Sequence, residues 1–123
     1  MTDEHFRALK EAIDEKYFQK GLKCSCGTSF PNQKDYTEGT RPHQRGVSHY
    51  DEMGLLIARN HLCEPSRANT ITFYLPSEDL ADPRLAVLVG AIKERATTRG
   101  VREGASAESI VQDYFEWIQK QSS

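Results

Sequence analysis

The chain contains no apolar run approaching the roughly 18–20 residues that a membrane-spanning helix needs, and Met1 to Lys10 is a charged helical pattern rather than the apolar stretch of a secretory leader. Both absences point to a cytoplasmic protein. Cysteine is scarce and odd in number: Cys24, Cys26 and Cys63. One residue between Cys24 and Cys26 is too little for an ordinary disulfide, so a stapled secreted fold is not expected and reduced thiols or metal ligands are the readings to weigh. Charge of either sign is not in excess. Sixteen Lys and Arg face eighteen Asp and Glu, a net charge of −2, and residues 1–65 and 66–123 share that balance. A strongly basic nucleic-acid surface is therefore missing, and a DNA-binding face would have to be assembled locally. Also absent are a phosphate-binding loop, Gly-X-Gly-X-X-Gly, His-Glu-X-X-His and Gly-X-Ser-X-Gly, so we expect a binding protein and not an enzyme.

With 123 residues, 37% of them hydrophobic and 28% charged, the chain can bury a core. Phe6, Leu9, Ile13 and Tyr17 recur at helical spacing behind a capping Thr2, which predicts a helix from about residue 3 to residue 20, closed by Gly21. Residues 21–47, punctuated by Gly27, Pro31, Gly39, Pro42 and Gly46, read as a long central loop. Ser48 is placed to cap a second helix carrying Tyr50, Met53, Leu56 and Ile57, to end near His61.

Beyond a connector at 65–69, Ile71, Phe73 and Leu75 alternate with Thr70, Thr72 and Tyr74, the period-two pattern of a strand with one buried face. Pro83 starts a helix whose Leu85, Leu88, Val89, Ile92 and Ala96 form a stripe before Gly100, and Ser106 caps a last helix through Ile118. The expected fold is α+β and mostly helical: about four helices with one or a few short strands and a long central loop. Two units are expected, an N-terminal helical unit over 1–65 and a strand-helix-helix unit over 66–123.

Two constellations carry chemistry. The first is Cys24-Ser25-Cys26-Gly27, then His43 and His49 separated by five residues, then His61-Leu62-Cys63. Zinc takes three or four thiolate and imidazole ligands in a tetrahedron, and two ligands in a glycine-tightened turn with two from elsewhere supply them. Two sets are open: Cys24, Cys26, His43 and His49, or Cys24, Cys26, His61 and Cys63. The plain alternative is free thiols with ordinary histidines. A metal would also tie down the polar stretch at 31–46.

The second constellation is the strand Thr70-Ile-Thr-Phe-Tyr-Leu-Pro76 followed by two helices. It resembles the ribbon-helix-helix family of DNA-binding proteins over about the last 55 residues. The resemblance implies a homodimer whose strands pair as an antiparallel ribbon, with Thr70, Thr72 and Tyr74 at the positions that enter the major groove of duplex DNA.

Two functions are thus expected. One is a homodimeric DNA-binding regulator, with its N-terminal half stabilised by zinc. The other is a protein-binding adaptor or inhibitor of the compact kind that phages and mobile elements encode, gripping its partner through the polar loop and through Tyr114, Phe115 and Trp117 on an exposed face of the last helix, the plain alternative being that these three belong to the core.

Overall fold

The computed structural model describes residues 1–43 and 48–121. Its first helix, α1 (Asp3–Tyr17), is closed at its N-terminus by a reciprocal cap: the His5 amide donates to Thr2 Oγ1 at 3.3 Å and the Thr2 amide to His5 Nδ1 at 3.2 Å. The helix stops three residues short of the expected end. Gly21, at φ +70, turns the chain where a Cβ would sit 2.8 Å from the Phe30 carbonyl oxygen, so only glycine fits in the turn out of the helix.

The long loop expected over 21–47 is corrected by four short elements: strands β1 (Leu22–Lys23) and β2 (Ser29–Phe30), which pair with each other, helix α2 (Gln33–Gly39) and strand β3 (Arg41–Pro42). Asn32 caps α2, its side chain accepting from the Asp35 amide. Residues 44–47, the end of that expected loop, lie outside the described residues.

The second expected helix is corrected outright, because its residues form strands β4 (His49–Asp51) and β5 (Gly54–Glu64). Gly54 decides the matter. At φ +144 it packs so tightly under the next strand that a Cβ would lie 2.2 Å from the Leu75 carbonyl oxygen, and the Met53 amide donates to Asp51 Oδ1 at 2.8 Å to complete the reversal. A short apolar run such as Leu55-Leu56-Ile57-Ala58 suits a buried strand as well as a helix, and pairing with neighbours selects the strand. Strand β6 (Arg67–Pro76) then runs back along the whole of β5.

Among the described residues, six strands in two sheets therefore replace the expected one or a few, with helices α3 (Pro83–Arg99) and α4 (Glu103–Gln121) completing an α+β fold. In the larger sheet β6 flanks one side of β5, while β4 and β3 share the other, pairing at Leu55–Leu56 and Arg59–Asn60 respectively. One face is buried: Ile57, Ile71, Phe73 and Leu75 point inward, and Thr70, Thr72 and Tyr74 outward.

Phe73 sits among Phe18, Tyr17 and Tyr36 at ring distances of 5.5, 5.8 and 5.8 Å, each fully buried side chain of this kind contributing roughly 1.5–3 kcal/mol. The expected unit boundary at 65/66 falls in the turn between β5 and β6. A single buried cluster runs from Leu9 and Ile13 through Leu55 and Phe73 to Leu88 and Phe115, drawing on both sides of it.

Arg59 is a buried cation of this core, 5% exposed. It donates from Nε to Thr40 Oγ1 and from Nη2 to the carbonyls of Thr37 and Thr40, and its guanidinium lies 4.8 Å from the centre of the Phe115 ring. These bonds satisfy carbonyls left over at the C-terminal end of α2 and lock that end onto β5. Gly39, the last residue of α2, is thereby held beside His61.

Candidate metal centre

Cys24 and Cys26 sit in the connection between β1 and β2. It closes on itself through the Cys24 amide to the Thr28 carbonyl and the Gly27 amide to the Cys24 carbonyl, both 2.9 Å, so the two thiols are presented from a tight turn. His61 and Cys63 lie two apart on β5, which puts both on one face of a strand. The β5–β6 register breaks between Leu62 and Glu64, leaving Cys63 as the extra residue of a bulge, a device that re-aims a side chain.

The outcome is one cluster. A ligand atom from each of Cys24, Cys26, His61 and Cys63 lies within 4.8 Å of every other, and Cys24 Sγ is 3.5 Å from Cys63 Sγ. Zinc–sulfur bonds of about 2.3 Å in a tetrahedron place sulfurs about 3.7 Å apart, so the set needs only a contraction of about 1 Å at its widest to close on an ion. These four residues could hold a metal ion.

The surroundings fit that chemistry. His61 Nδ1 lies 2.9 Å from the Gly39 carbonyl oxygen, and since a carbonyl only accepts, Nδ1 carries the proton and leaves Nε2 with the lone pair a metal takes. The Phe30 ring packs edge-on to the imidazole at 5.3 Å. Asn69, opposite His61 on β6, extends its amide nitrogen to within 3.4 Å of Cys24 Sγ, 3.3 Å of Cys63 Sγ and 2.9 Å of Ser25 Oγ.

The three thiols are not equivalent. Cys26, exposed, is held down to about 7, chiefly by its side-chain hydrogen bond with Thr28 across 3.2 Å. Cys24 is also lowered, first by the Cys26 backbone amide and then by Asn69. Burial, followed by the neighbouring thiols, pushes Cys63 up to about 11.

Of the two ligand sets open from the sequence, the structure assembles Cys24, Cys26, His61 and Cys63. Neither His43 nor His49 belongs to the group found among the described residues. His49 is on β4, where its Nε2 lies 3.3 Å from Asp51 Oδ2, and His43 follows β3. Asn69, Gly39, Phe30 and Thr28 are not singled out by the sequence. Only the strand register could flag Asn69, as the residue facing His61.

The other expected sites fare differently. Thr70, Thr72 and Tyr74 lie together on the solvent face of β6, where Thr70 donates to Asn60 Oδ1 at 2.9 Å and Tyr74 to the Met53 carbonyl at 2.6 Å. One edge of this strand is taken by β5 of the same chain. The expected exposed aromatic face of the last helix is corrected: Tyr114, Phe115 and Trp117 are buried, with Trp117 stacked on Phe6 at 5.6 Å and Tyr114 donating to Gln33 Oε1. Their apolar bulk is used for the core.

No helix among the described residues is long and apolar enough to cross a membrane. No protein-family profile matches the chain, and searches of curated proteins and of solved structures give no match.

Proposed function

We propose that this chain is a non-enzymatic protein-binding module, built around a structural zinc, that receives an extended segment of its partner along the outer edge of β6. Four protein ligands of the Cys3His type leave no coordination position for a substrate or an activated water, which is the mark of structural and not catalytic zinc. The ion would fasten the β1–β2 turn to β5, two pieces that share no strand pairing.

The observation that carries the binding function is the free edge. Strand β6 has ten residues, and no described strand pairs with its outer side. Natural sheets blunt such edges with lysine, proline or a covering element. No lysine and no proline lies between Arg67 and Pro76, and a groove of about 410 Å3 runs beside the strand, lined by Leu22, Lys23, Ser25 and residues 69–72. Backbone pairing along the edge supplies affinity, and side-chain contacts in the groove supply selectivity. The exposed Tyr74 on β6 adds an aromatic side chain of the kind that anchors protein interfaces.

Two measurements test this. Native mass spectrometry should find one zinc per chain, lost with a chelator. Peptides selected by display against the zinc-loaded chain should be extended and β-branched, and should protect amides 69–72 from hydrogen exchange. Selected peptides that protect other amides and leave 69–72 unchanged would refute the edge as the binding surface.

A second reading is duplex DNA, favoured by Thr70, Thr72 and Tyr74 standing together on the solvent face of β6, an edge strand whose polar side chains could reach base edges. Fluorescence anisotropy at two salt concentrations, repeated with Thr72 and Tyr74 both changed to alanine, tests it. Binding that is steeply salt-dependent and lost in the double variant would favour DNA over the peptide edge.

A further inference from the structure

We infer that Cys24 and Cys63 form a peroxide-sensitive redox pair whose disulfide expels the zinc, making the metal centre an oxidation-released staple. The inference rests on the zinc reading above and adds to it a modification site. Its basis is the 3.5 Å between the two sulfurs, which sit on segments far apart in the chain.

The same two atoms serve two exclusive bonds. Around zinc they stand about 3.7 Å apart, each giving an electron pair to the ion. In a disulfide they close to about 2.05 Å, and neither retains the thiolate charge that a metal needs. Cys24 and Cys26 are no competing pair, since a single residue separates them. The Cys63 partner arrives from another strand, on a bulge, where local adjustment is least costly.

Accessibility orders the chemistry. Cys26 is the exposed thiol, Cys63 is half-buried and Cys24 is 2% exposed, so of the pair Cys63 is the one a hydroperoxide reaches, and Cys26→Ser separates its oxidation from that of Cys26. The Cys63 thiolate attacks one peroxide oxygen, the O–O bond breaks, and hydroxide leaves, giving a sulfenic acid. The Cys24 thiolate then attacks the Cys63 sulfur and displaces a second hydroxide. Two thiolates lose two electrons, hydrogen peroxide gains them, and the products are one disulfide and two hydroxides. With two of four ligands spent, zinc is held only by Cys26 and His61 and departs. The Asn69 amide, within 3.4 Å of both sulfurs, keeps them side by side for the second step.

The test uses the full zinc-loaded chain, titrated with hydrogen peroxide beside a chromogenic chelator, then alkylated and digested. Cys24 and Cys26 share one tryptic peptide, because no Lys or Arg lies between them, so the mapping is repeated on Cys26→Ser. The expected result is one zinc released per disulfide, a cross-link from residues 24–34 to residues 60–67 that survives in Cys26→Ser, and recovery of zinc binding after a dithiol reductant. Zinc retained under excess peroxide, zinc released with only sulfinic acid found, or a cross-link lost in Cys26→Ser would each overturn the proposal. A chain that takes up no zinc before oxidation defeats the zinc reading and metal release together, and mapping that chain still decides whether Cys24 and Cys63 pair.

Discussion

Asn69 faces His61 across the β5–β6 hairpin and places one amide nitrogen 3.3 Å from the sulfur of Cys63 and 3.4 Å from that of Cys24. A neutral donor shared by two thiolates lowers their charge density without competing for the ion. Replacing Asn69 with alanine removes both contacts, and zinc affinity should fall roughly 10–100-fold, as for outer-shell partners of metal sites generally. Asn69→Asp, which sets a carboxylate against the sulfurs, should be worse. Competition against a chelator of known affinity measures both, and unchanged affinity in Asn69→Asp would remove the residue from the centre.

Zinc uptake should strengthen with pH. A metal binds the thiolate, so any proton on a cysteine ligand must leave, and each displaced proton makes apparent affinity rise roughly tenfold per pH unit while the thiol remains protonated. Cys63, pushed up to about 11, is protonated throughout the neutral range, whereas Cys26, near 7, is half titrated there. The slope of log affinity against pH should therefore be steeper below pH 7 than above it, with Cys63 contributing on both sides. Calorimetry in two buffers of different ionisation enthalpy counts the protons, and a count of zero would contradict thiolate ligation.

A buried polar chain links helices distant in sequence. Tyr114 donates to Gln33 Oε1, and Gln33 Nε2 donates to Asp14 Oδ1 at 2.8 Å and to the Lys10 carbonyl at 3.0 Å, with Gln33 wholly buried. Tyr114→Phe keeps the ring and leaves Gln33 Oε1 without its donor, a loss of about 1–3 kcal/mol. Urea unfolding should show that loss with zinc bound, and affinity for zinc should be unaltered because the network does not touch the ligands.

Gly54→Ala should be among the most damaging single changes. The added Cβ would meet the Leu75 carbonyl 2.2 Å away, backbone against backbone, at a φ that side chains avoid. A loss of at least about 2 kcal/mol is expected, read as a lowered thermal midpoint. Gly90→Ala is the control: it lies within α3 with nothing in a Cβ's way, so alanine should be neutral or stabilising.

What the sequence makes legible depends on the range of the signal. Helix α3 spans Pro83–Arg99 as its stripe of Leu85, Leu88 and Ile92 indicates, and β6 shows the inward Ile71, Phe73 and Leu75 that alternation predicts. Both patterns repeat within a few residues and need no partner to be recognised. The 48–61 segment misleads because Leu55, Leu56, Ile57 and Ala58 run together without alternation, and because Gly54 reads equally as a weak helix residue and as an obligatory turn residue. Tyr114, Phe115 and Trp117 mislead in another way, since an apolar cluster on a helix carries no label saying whether core or solvent meets it.

The metal centre divides along the same line. Residue types and local spacing alone established a Cys-X-Cys turn, a His-X-Cys pair and a choice between two ligand sets. Choosing between them required β5 to run past the β1–β2 turn, with a bulge at Cys63, Gly39 behind His61 and Asn69 opposite. Cys24 and Cys63 are 39 positions apart, and Gly39 and His61 are 22, so strand pairing and helix packing across the whole core bring them together. No periodicity within a short window encodes such contacts, and the ligand choice and the residues that support it emerge only when the chain is folded.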